Sequence, residues 1–231
     1  MEKSELKIIK EGKTGHGILI ENDGYMYVKD SKTLKEGLES GEWHVPYPFI
    51  VDAVFQKFGI KNANGRIYPE DVLKRQVEIY QQKIDERRAL GECNHPSEST
   101  IDLSRISHNI IELHWEGATL VGKMELNTTE GFRKYGIVSS RGDEVANLLL
   151  NGYKIGVSSR GVGSVEQKLG QYIVGDDFEL ICWDVVSDPS TPGAYIGNPE
   201  ELQQYVESNT AKSLKPTLNE KVKKIKNILN S

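Results

Sequence analysis

The sequence predicts an α+β protein built on a mixed or mostly antiparallel sheet or barrel. Strand-like segments outnumber helical ones, and short turns rather than helical crossovers join adjacent strands. A doubly wound parallel sheet needs such crossovers, so that class is disfavoured. The predicted strands cover residues 47–55, 106–115, 119–126, 153–157, 171–174 and 178–186. Helices are predicted over residues 70–88 and 142–151.

The first of these helices follows a turn-rich stretch. Asn64-Gly65 is a tight-turn signal, and Pro69 suits the first turn of a helix. Apolar residues then recur at helical spacing, at Val72, Leu73, Val77, Tyr80 and Ile84. Because they share one face, a helix is predicted that ends before Gly91.

Composition excludes several classes of partner. The 231 residues carry a formal net charge of −5, which argues against a surface that neutralises nucleic-acid phosphates. No apolar run is long enough to span a bilayer, and the first residues lack the apolar stretch of a signal peptide. The 2 cysteines suit a reducing compartment. We therefore expect a cytoplasmic protein with no nucleic-acid or membrane partner.

Composition also divides the chain into three parts. Residues 1–45 are polar and glycine-rich, and are predicted to be an N-terminal leader that could be removed. Residues 46–207 carry most of the strand and helix patterns and form the predicted main domain. Residues 208–231 are predicted to be a linker and a basic C-terminal helix, which could also be removed.

Two serines stand in a glycine-flanked segment, Gly156-Val-Ser-Ser-Arg-Gly161, that follows an apolar strand. Serine hydrolysis needs a hydroxyl nucleophile, an imidazole to take its proton, and N–H groups that hold the oxyanion. The glycines would let the backbone turn tightly and present such N–H groups. Either Ser158 or Ser159 could be the nucleophile. Taken alone, the segment fits a plain polar hairpin turn better.

Among the 5 histidines, His95 is the best candidate for a general base. It lies in Gly91-Glu-Cys-Asn-His-Pro96, where the proline closes a short extended piece that could hold the imidazole rigidly. Taken alone, such a histidine is more often a surface or capping residue. His108 and His114 are predicted to share one strand face, but no third metal ligand stands at useful spacing, so no metal site is predicted.

Asp184 interrupts the apolar strand at 178–186, where an unpaired charge would be costly. A partner is therefore expected. It is either the histidine of a catalytic triad or an arginine in a structural salt bridge, with Arg160 as the candidate. The weaker candidates for a catalytic acid are Glu92, Asp102, Asp177 and Glu179.

Four segments, in this order, resemble the prohead core proteases of T4-like tailed phages. They are Asn64-Gly-Arg-Ile-Tyr-Pro69, Gly91-Glu-Cys-Asn-His-Pro96, Gly156-Val-Ser-Ser-Arg-Gly-Val-Gly163, and the stretch from Asp184 through Pro189-Ser-Thr-Pro-Gly-Ala194. The His-Pro and Ser-Ser-Arg-Gly blocks are the most specific. The resemblance spans residues 48–200.

The resemblance implies a fold and a set of site residues. The family looks related to the herpesvirus assemblins, which implies a mostly antiparallel β-barrel core flanked by helices. His95 matches the family histidine and Ser158 the nucleophile, with Ser159 as the competing choice. Asp184 matches the third member, a place that a second histidine takes in the herpesvirus enzymes. By analogy, Arg160 would help to form the oxyanion or substrate site, and no cofactor is implied.

The resemblance also implies a function. Family members cut phage scaffold and capsid precursor proteins after Glu in Leu/Ile-x-Glu sites, inside the prohead in the host cytoplasm. A pocket for that glutamate needs positive charge, and the candidates are Arg66, Arg105 and Arg160. The same pattern ends at Glu36 and Glu220, which suggests a zymogen that processes itself. Whether the protein forms a homo-oligomer is left open.

Two other functions compete with proteolysis. The stronger is a structural or assembly protein of the phage head that has the same barrel without catalysis. An esterase is less favoured, because Arg160 stands where the Gly-x-Ser-x-Gly pattern around Ser158 requires a glycine.

Overall fold

The structure is a computed structural model and describes residues 7–9, 13–27 and 45–187. Its strands are β1 (Lys7–Ile8), β2 (Gly15–Tyr27), β3 (Phe49–Lys57), β4 (Arg66–Ile67), β5 (Leu90–Glu92), β6 (Ile106–Glu116), β7 (Thr119–Leu126), β8 (Ile155–Lys168), β9 (Gln171–Val174) and β10 (Glu179–Val186). Its helices are α1 (Glu70–Asp85), α2 (Glu130–Tyr135) and α3 (Arg141–Leu150), with one 3₁₀ turn at Leu103–Arg105. The basic C-terminal helix, Glu36 and Glu220 lie outside the described residues.

All of these strands belong to one sheet, which is mostly antiparallel. The pairing order is β4-β9-β8-β2-β3-β7-β6-β5, with β1 attached to β2 and β10 attached to β8. Only the β1–β2 and β4–β9 pairs are parallel within the described ranges. The predicted α+β class with antiparallel pairing is confirmed. No helix in this part of the chain is long and apolar enough to cross a membrane.

The predicted barrel is not closed. The last strand in the pairing order, β5, has only 3 residues. The residue that follows it, Cys93, meets β10 at one isolated bridge to Val185. So short a strand presents too few backbone groups for a second ladder. Among the described residues, therefore, continuous pairing stops at β5 instead of returning to β10.

The predicted leader contains a central strand. β2 pairs with β8 from Gly15 opposite Val165 to Met26 opposite Ile155, and Met26 also pairs with Ala53 of β3. Residues 15–27 therefore belong to the folded sheet, which corrects the boundary at residue 45. Removing them would take out the strand that joins β3 to β8.

The hydrophobic core is formed by the sheet and by residues of all three helices, and α1 contributes one face to it. The buried residues of α1 include Val72, Leu73, Val77, Tyr80 and Ile84, as the helical spacing predicts. The Tyr80 ring packs edge-on against Trp183 of β10, with their centroids 5.0 Å apart. Because Trp183 precedes Asp184, this packing positions the backbone that carries the candidate acid. The helix ends at Asp85, before the predicted Arg88, since Arg87 adopts a left-handed φ of 54°.

Candidate active site

The two serines lie within β8, not in a turn. β10 pairs with β8 at each residue from Gly156 to Val162, and Asp184 stands directly opposite Ser158. The predicted glycine-flanked turn, with its exposed N–H groups, is therefore wrong. The second glycine serves packing, because a Cβ at Gly161 would lie 2.3 Å from the Phe178 ring.

Strand geometry separates the two serines. Successive side chains of a strand point to opposite faces, so only one of the pair can face Asp184. Ser158 does so and contacts the His95 ring, whereas Ser159 Oγ is buried and has no hydrogen-bond partner among the described residues. The register between β2 and β8 also steps over Ser158, through a bulge between Glu21 and Gly24. Bulges commonly re-aim a side chain next to an active site.

The segment after β5 brings His95 to this point. Gly91 lets β5 approach β10 closely, because a Cβ at this position would lie 2.2 Å from the carbonyl oxygen of Trp183. Asn94 has a left-handed φ of 63°, which asparagine tolerates better than most residues, and its N–H donates to Val185 O at 2.8 Å. Pro96 restricts His95 to an extended backbone. The motif thus forms a tight, tethered turn that ends at the imidazole.

One line of contacts joins Ser158, His95 and Asp184. The His95 Nδ1 atom lies 3.0 Å from Asp184 Oδ2, and its Nε2 atom is in hydrogen-bond contact with Ser158 Oγ. Ser158 and Asp184 are wholly buried, while 12% of the His95 side chain is exposed. This is the arrangement of a nucleophile, a general base and an orienting acid.

Asp184 is held in its charged form. Burial would raise the pKa of this carboxyl group, but the hydrogen bond from His95 and the positive charge of Arg160 reverse that effect, and the pKa is lowered. The Glu92 N–H adds a donor at 3.1 Å from Asp184 Oδ1. Asp184 can therefore keep a proton on His95 Nδ1 and stabilise an imidazolium.

Arg160 faces this acid and not an open cleft. Its guanidinium is wholly buried, and its Nε atom lies 3.0 Å from Asp184 Oδ2. The same group forms an ion pair with Glu92 and donates to Glu98 O at 2.7 Å. The structure therefore does not place Arg160 as an oxyanion or substrate group. The salt bridge that was the alternative role for Asp184 coexists with its contact to His95.

His108 and His114, which were predicted to share one strand face, lie in different environments. His108 is buried, with Nε2 3.1 Å from Trp183 O, and burial lowers its pKa to about 4. His114 is half exposed and lies beside Glu112, so the two histidines do not share a face. A bulge between Ile110 and Glu112 shifts the strand between them. No group of three metal-ligating side chains occurs in the described ranges.

The three arginines predicted for a glutamate pocket are in different environments. Arg66 is buried and paired with Glu21, and Arg160 is paired as described above. Arg105 instead lines a cavity of about 430 Å³. Arg141, which the sequence analysis missed, also lines it and is paired with Glu144 of the same lining. Arg141 begins α3, and such a position carries no sequence signal for ligand binding.

The chain is similar to known phage proteins along most of its length. A family model described as prohead core protein serine protease matches residues 18–210. The prohead core protein protease of Enterobacteria phage T4 is 30% identical over 216 residues, which are 92% of this chain and 91% of that relative. The solved structure of the bacteriophage T4 capsid assembly protease matches with a TM-score of 0.59 and 24% identity, over 73% of this chain and 96% of that one. The chain belongs to the prohead core protein serine protease family.

Proposed function

We propose that the protein is a serine endopeptidase of the phage prohead, with Ser158, His95 and Asp184 as its catalytic residues. The contact line from Ser158 Oγ through the His95 ring to Asp184 carries this proposal. The family supports a prohead protease, and the names of its relatives refer to the prohead core and capsid assembly. The proposed substrates are scaffold and capsid precursor proteins, cut inside the prohead.

The mechanism follows from the three positions. Ser158 Oγ attacks the scissile carbonyl carbon while His95 Nε2 takes its proton. His95 then gives that proton to the leaving amine, which breaks the peptide bond and leaves an acyl-enzyme. Water, deprotonated by the same imidazole, hydrolyses the ester and restores Ser158. Asp184 holds the Nδ1–H and stabilises the imidazolium in both halves.

A glutamate-selective pocket is the second part of the proposal. The cavity lined by Arg105 and Arg141 also includes Asn94, which precedes His95, and Val185, which follows Asp184. Arg105 is half-buried, and within the described residues no ion pair or side-chain hydrogen bond engages its guanidinium. A partly desolvated, unpaired guanidinium favours a carboxylate ligand. We assign Arg105 as the main contact of the substrate glutamate.

The catalytic assignment is tested by comparing Ser158→Ala with Ser159→Ala, because the two serines are adjacent and face opposite ways. We expect Ser158→Ala to lower kcat on a Leu-x-Glu peptide by about 10⁴-fold or more, and Ser159→Ala to keep activity. A fluorophosphonate should label Ser158 alone. A Ser158→Ala variant that cleaves at the wild-type rate would contradict the assignment. Absence of labelling and cleavage in the wild type would favour the non-catalytic head protein.

The pocket assignment is tested with two peptides that differ at one position. One has Glu and the other has Gln immediately before the scissile bond. The wild type should prefer Glu, and Arg105→Gln should lose that preference mainly through KM, because a charge-assisted contact is removed. Arg87→Gln is the control, since Arg87 is exposed and does not line this cavity. An Arg105→Gln enzyme that retains the preference would overturn the pocket and leave the catalytic triad standing.

Self-processing at Glu36 and Glu220 is the third part of the proposal. Intact masses measured after denaturation should show both cuts in the wild type and neither in Ser158→Ala. Because the N-terminal piece contains β2, it should stay bound to the sheet of the native protein after the cut at Glu36. The Ile84-Asp-Glu86 pattern is an internal control, because it lies at the end of α1 and folded segments resist proteolysis. Identical trimming in both proteins would show that another protease makes the cuts.

A further inference from the structure

Two wholly buried charged residues next to the triad take no part in the mechanism above. Glu92, on β5, and Arg160, on β8, form an ion pair, and both side chains have no exposed area. Charges so deeply buried are costly unless each one is matched by partners. The role of this pair therefore depends on the groups that Glu92 and Arg160 contact.

Arg160 ties three segments together. Its guanidinium contacts Asp184 on β10 and Glu92 on β5, and donates to Glu98 O in the turn that follows His95. Glu92 in turn accepts the Asp102 N–H at 2.9 Å. The segment from Glu92 to Asp102, which carries His95, is thereby closed on itself and attached to both neighbouring strands.

The charges in this cluster do not cancel. Arg160 supplies one positive charge, while Asp184 and Glu92 supply two negative ones. The Cys182 thiol also contacts Asp184, but burial raises its pKa, so it adds no charge. If Glu92 were absent, Arg160 would cancel Asp184 at 3.0 Å, and the cluster would be neutral. With Glu92, one net negative charge remains where His95 must become positive.

We propose that Glu92 is a positioning residue that offsets the charge of Arg160, so that Asp184 retains a net negative field toward His95 during catalysis. The proposal rests on the catalytic roles of Ser158, His95 and Asp184. Arg160 holds the His95 segment in place, and Glu92 prevents that arginine from weakening the acid it contacts. The two residues act through Asp184 and His95, without touching the substrate.

The test compares Glu92→Gln with the double variant Glu92→Gln/Arg160→Gln. Glu92→Gln leaves Arg160 and Asp184 as a neutral pair. It should lower kcat by about 10²-fold, a typical cost of a disturbed catalytic geometry or field, with KM unchanged. The double variant restores one net negative charge and should be faster than Glu92→Gln. The acid limb of the rate–pH profile should move to lower pH in Glu92→Gln and return in the double variant.

A merely structural role predicts a different order. In that case the double variant, which loses more contacts, would be no faster than Glu92→Gln, and this result would overturn the proposal. Wild-type kcat in Glu92→Gln would overturn it as well. Circular dichroism and thermal unfolding establish that each variant is folded, and the low-field proton resonance of the His95–Asp184 hydrogen bond provides a readout that does not need turnover. We expect that resonance in the double variant, and its absence there would also contradict the proposal.

Two control variants distinguish a failure of the Glu92 proposal from a failure of the proposed function. Glu179→Gln removes an exposed carboxylate from the same strand as Asp184 and should keep wild-type kcat. Ser158→Ala should be inactive whatever the role of Glu92. If Ser158→Ala is active, the catalytic assignment fails. If it is inactive and the double variant does not recover, only the role of Glu92 fails.

Discussion

Two clusters in the same sheet are centred on a buried arginine and differ in charge. At Arg66, the carboxylate of Glu21 is the one acidic partner in the described residues. Glu21 also accepts hydrogen bonds from Asn62 Nδ2 at 2.6 Å, Asn64 Nδ2 at 2.7 Å and Tyr68 Oη at 3.0 Å. At Arg160 there are two carboxylates and a partly exposed histidine. The neutral, donor-rich cluster suits a structural clamp, and the cluster with surplus negative charge suits proton transfer.

The cluster of Arg66, Glu21 and their donors, called the clamp below, explains one of the motifs that resemble the family. Asn64 and Arg66 belong to the Asn-Gly-Arg-Ile-Tyr-Pro segment, and both point at Glu21 on β2. Arg66 also donates to Ile9 O at 2.6 Å, which attaches the chain beside β1. Glu21 is in register with Ser159, so this cluster lies one strand away from the proposed nucleophile, Ser158. This motif therefore stabilises the sheet around the site and supplies no catalytic group.

Asp184→Asn should break the charged cluster with the largest effect. Asparagine keeps the shape but favours the wrong histidine tautomer, and kcat should fall by about 10⁴-fold. Steady-state kinetics on a Leu-x-Glu peptide measures the loss. Asp177→Asn is the matched control, because Asp177 binds Ser164 away from the proposed triad, and the kcat of this variant should be unchanged. Equal losses in both variants would point to general destabilisation.

Glu21→Gln should break the clamp with the next largest effect. It leaves Arg66 as a buried charge without its acidic partner, which costs about 3–5 kcal/mol of unfolding free energy. Urea denaturation measures that loss, and kcat per folded molecule should stay near the wild-type value. A large fall in kcat with unchanged stability would mean that the clamp acts on the catalytic site.

Acid should destabilise the fold through His108, a buried group that belongs to neither cluster. Its folded pKa of about 4 is below the ordinary 6.5, so between these values the unfolded chain binds a proton that the folded chain excludes. The contribution of His108 to the free energy of unfolding is therefore complete above pH 6.5. It is lost progressively toward pH 4, by about 3 kcal/mol in total. Urea denaturation against pH should show a shallower decline for His108→Gln than for His114→Gln. Equal slopes in the two variants would contradict this origin.

The sequence predicted the regular elements that have a clear apolar period. The strands β6, β7, β9 and β10 and the helices α1 and α3 lie within a few residues of their predicted bounds. The alternation or helical spacing of apolar side chains was sufficient there, because one face of each element packs on the core. The predicted His95, Ser158 and Asp184 also lie together, as the order of the motifs suggested.

The failures share a physical cause. Residues 158–163 of β8 are rich in serine and glycine, which have low strand propensity, so the sequence predicted a turn. Pairing with β2 and β10 on both sides overrides that propensity. β4 and β5 have only 2 and 3 residues, too few for any period to appear. The contact of Arg160 with Asp184 was one of the predicted alternatives. Its ion pair with Glu92, which is distant in sequence, has no local pattern that could indicate it.

Arg75→Gln should cause the smallest loss of stability. It provides an exposed arginine–carboxylate pair to compare with the buried pairs of the two clusters. Arg75 also binds a carboxylate, with Nη1 2.7 Å from Asp176 Oδ1, but 41% and 82% of the two side chains are exposed. Water and salt screen such a pair, so its loss should cost about 0.5 kcal/mol and vanish at high salt. Urea denaturation in parallel with Glu21→Gln measures both. A loss as large as that of Glu21→Gln would mean that contact distance, and not burial, sets the contribution of these arginines. The small loss expected here would instead support burial as the reason that the Arg66–Glu21 pair contributes more to stability than the Arg75–Asp176 pair.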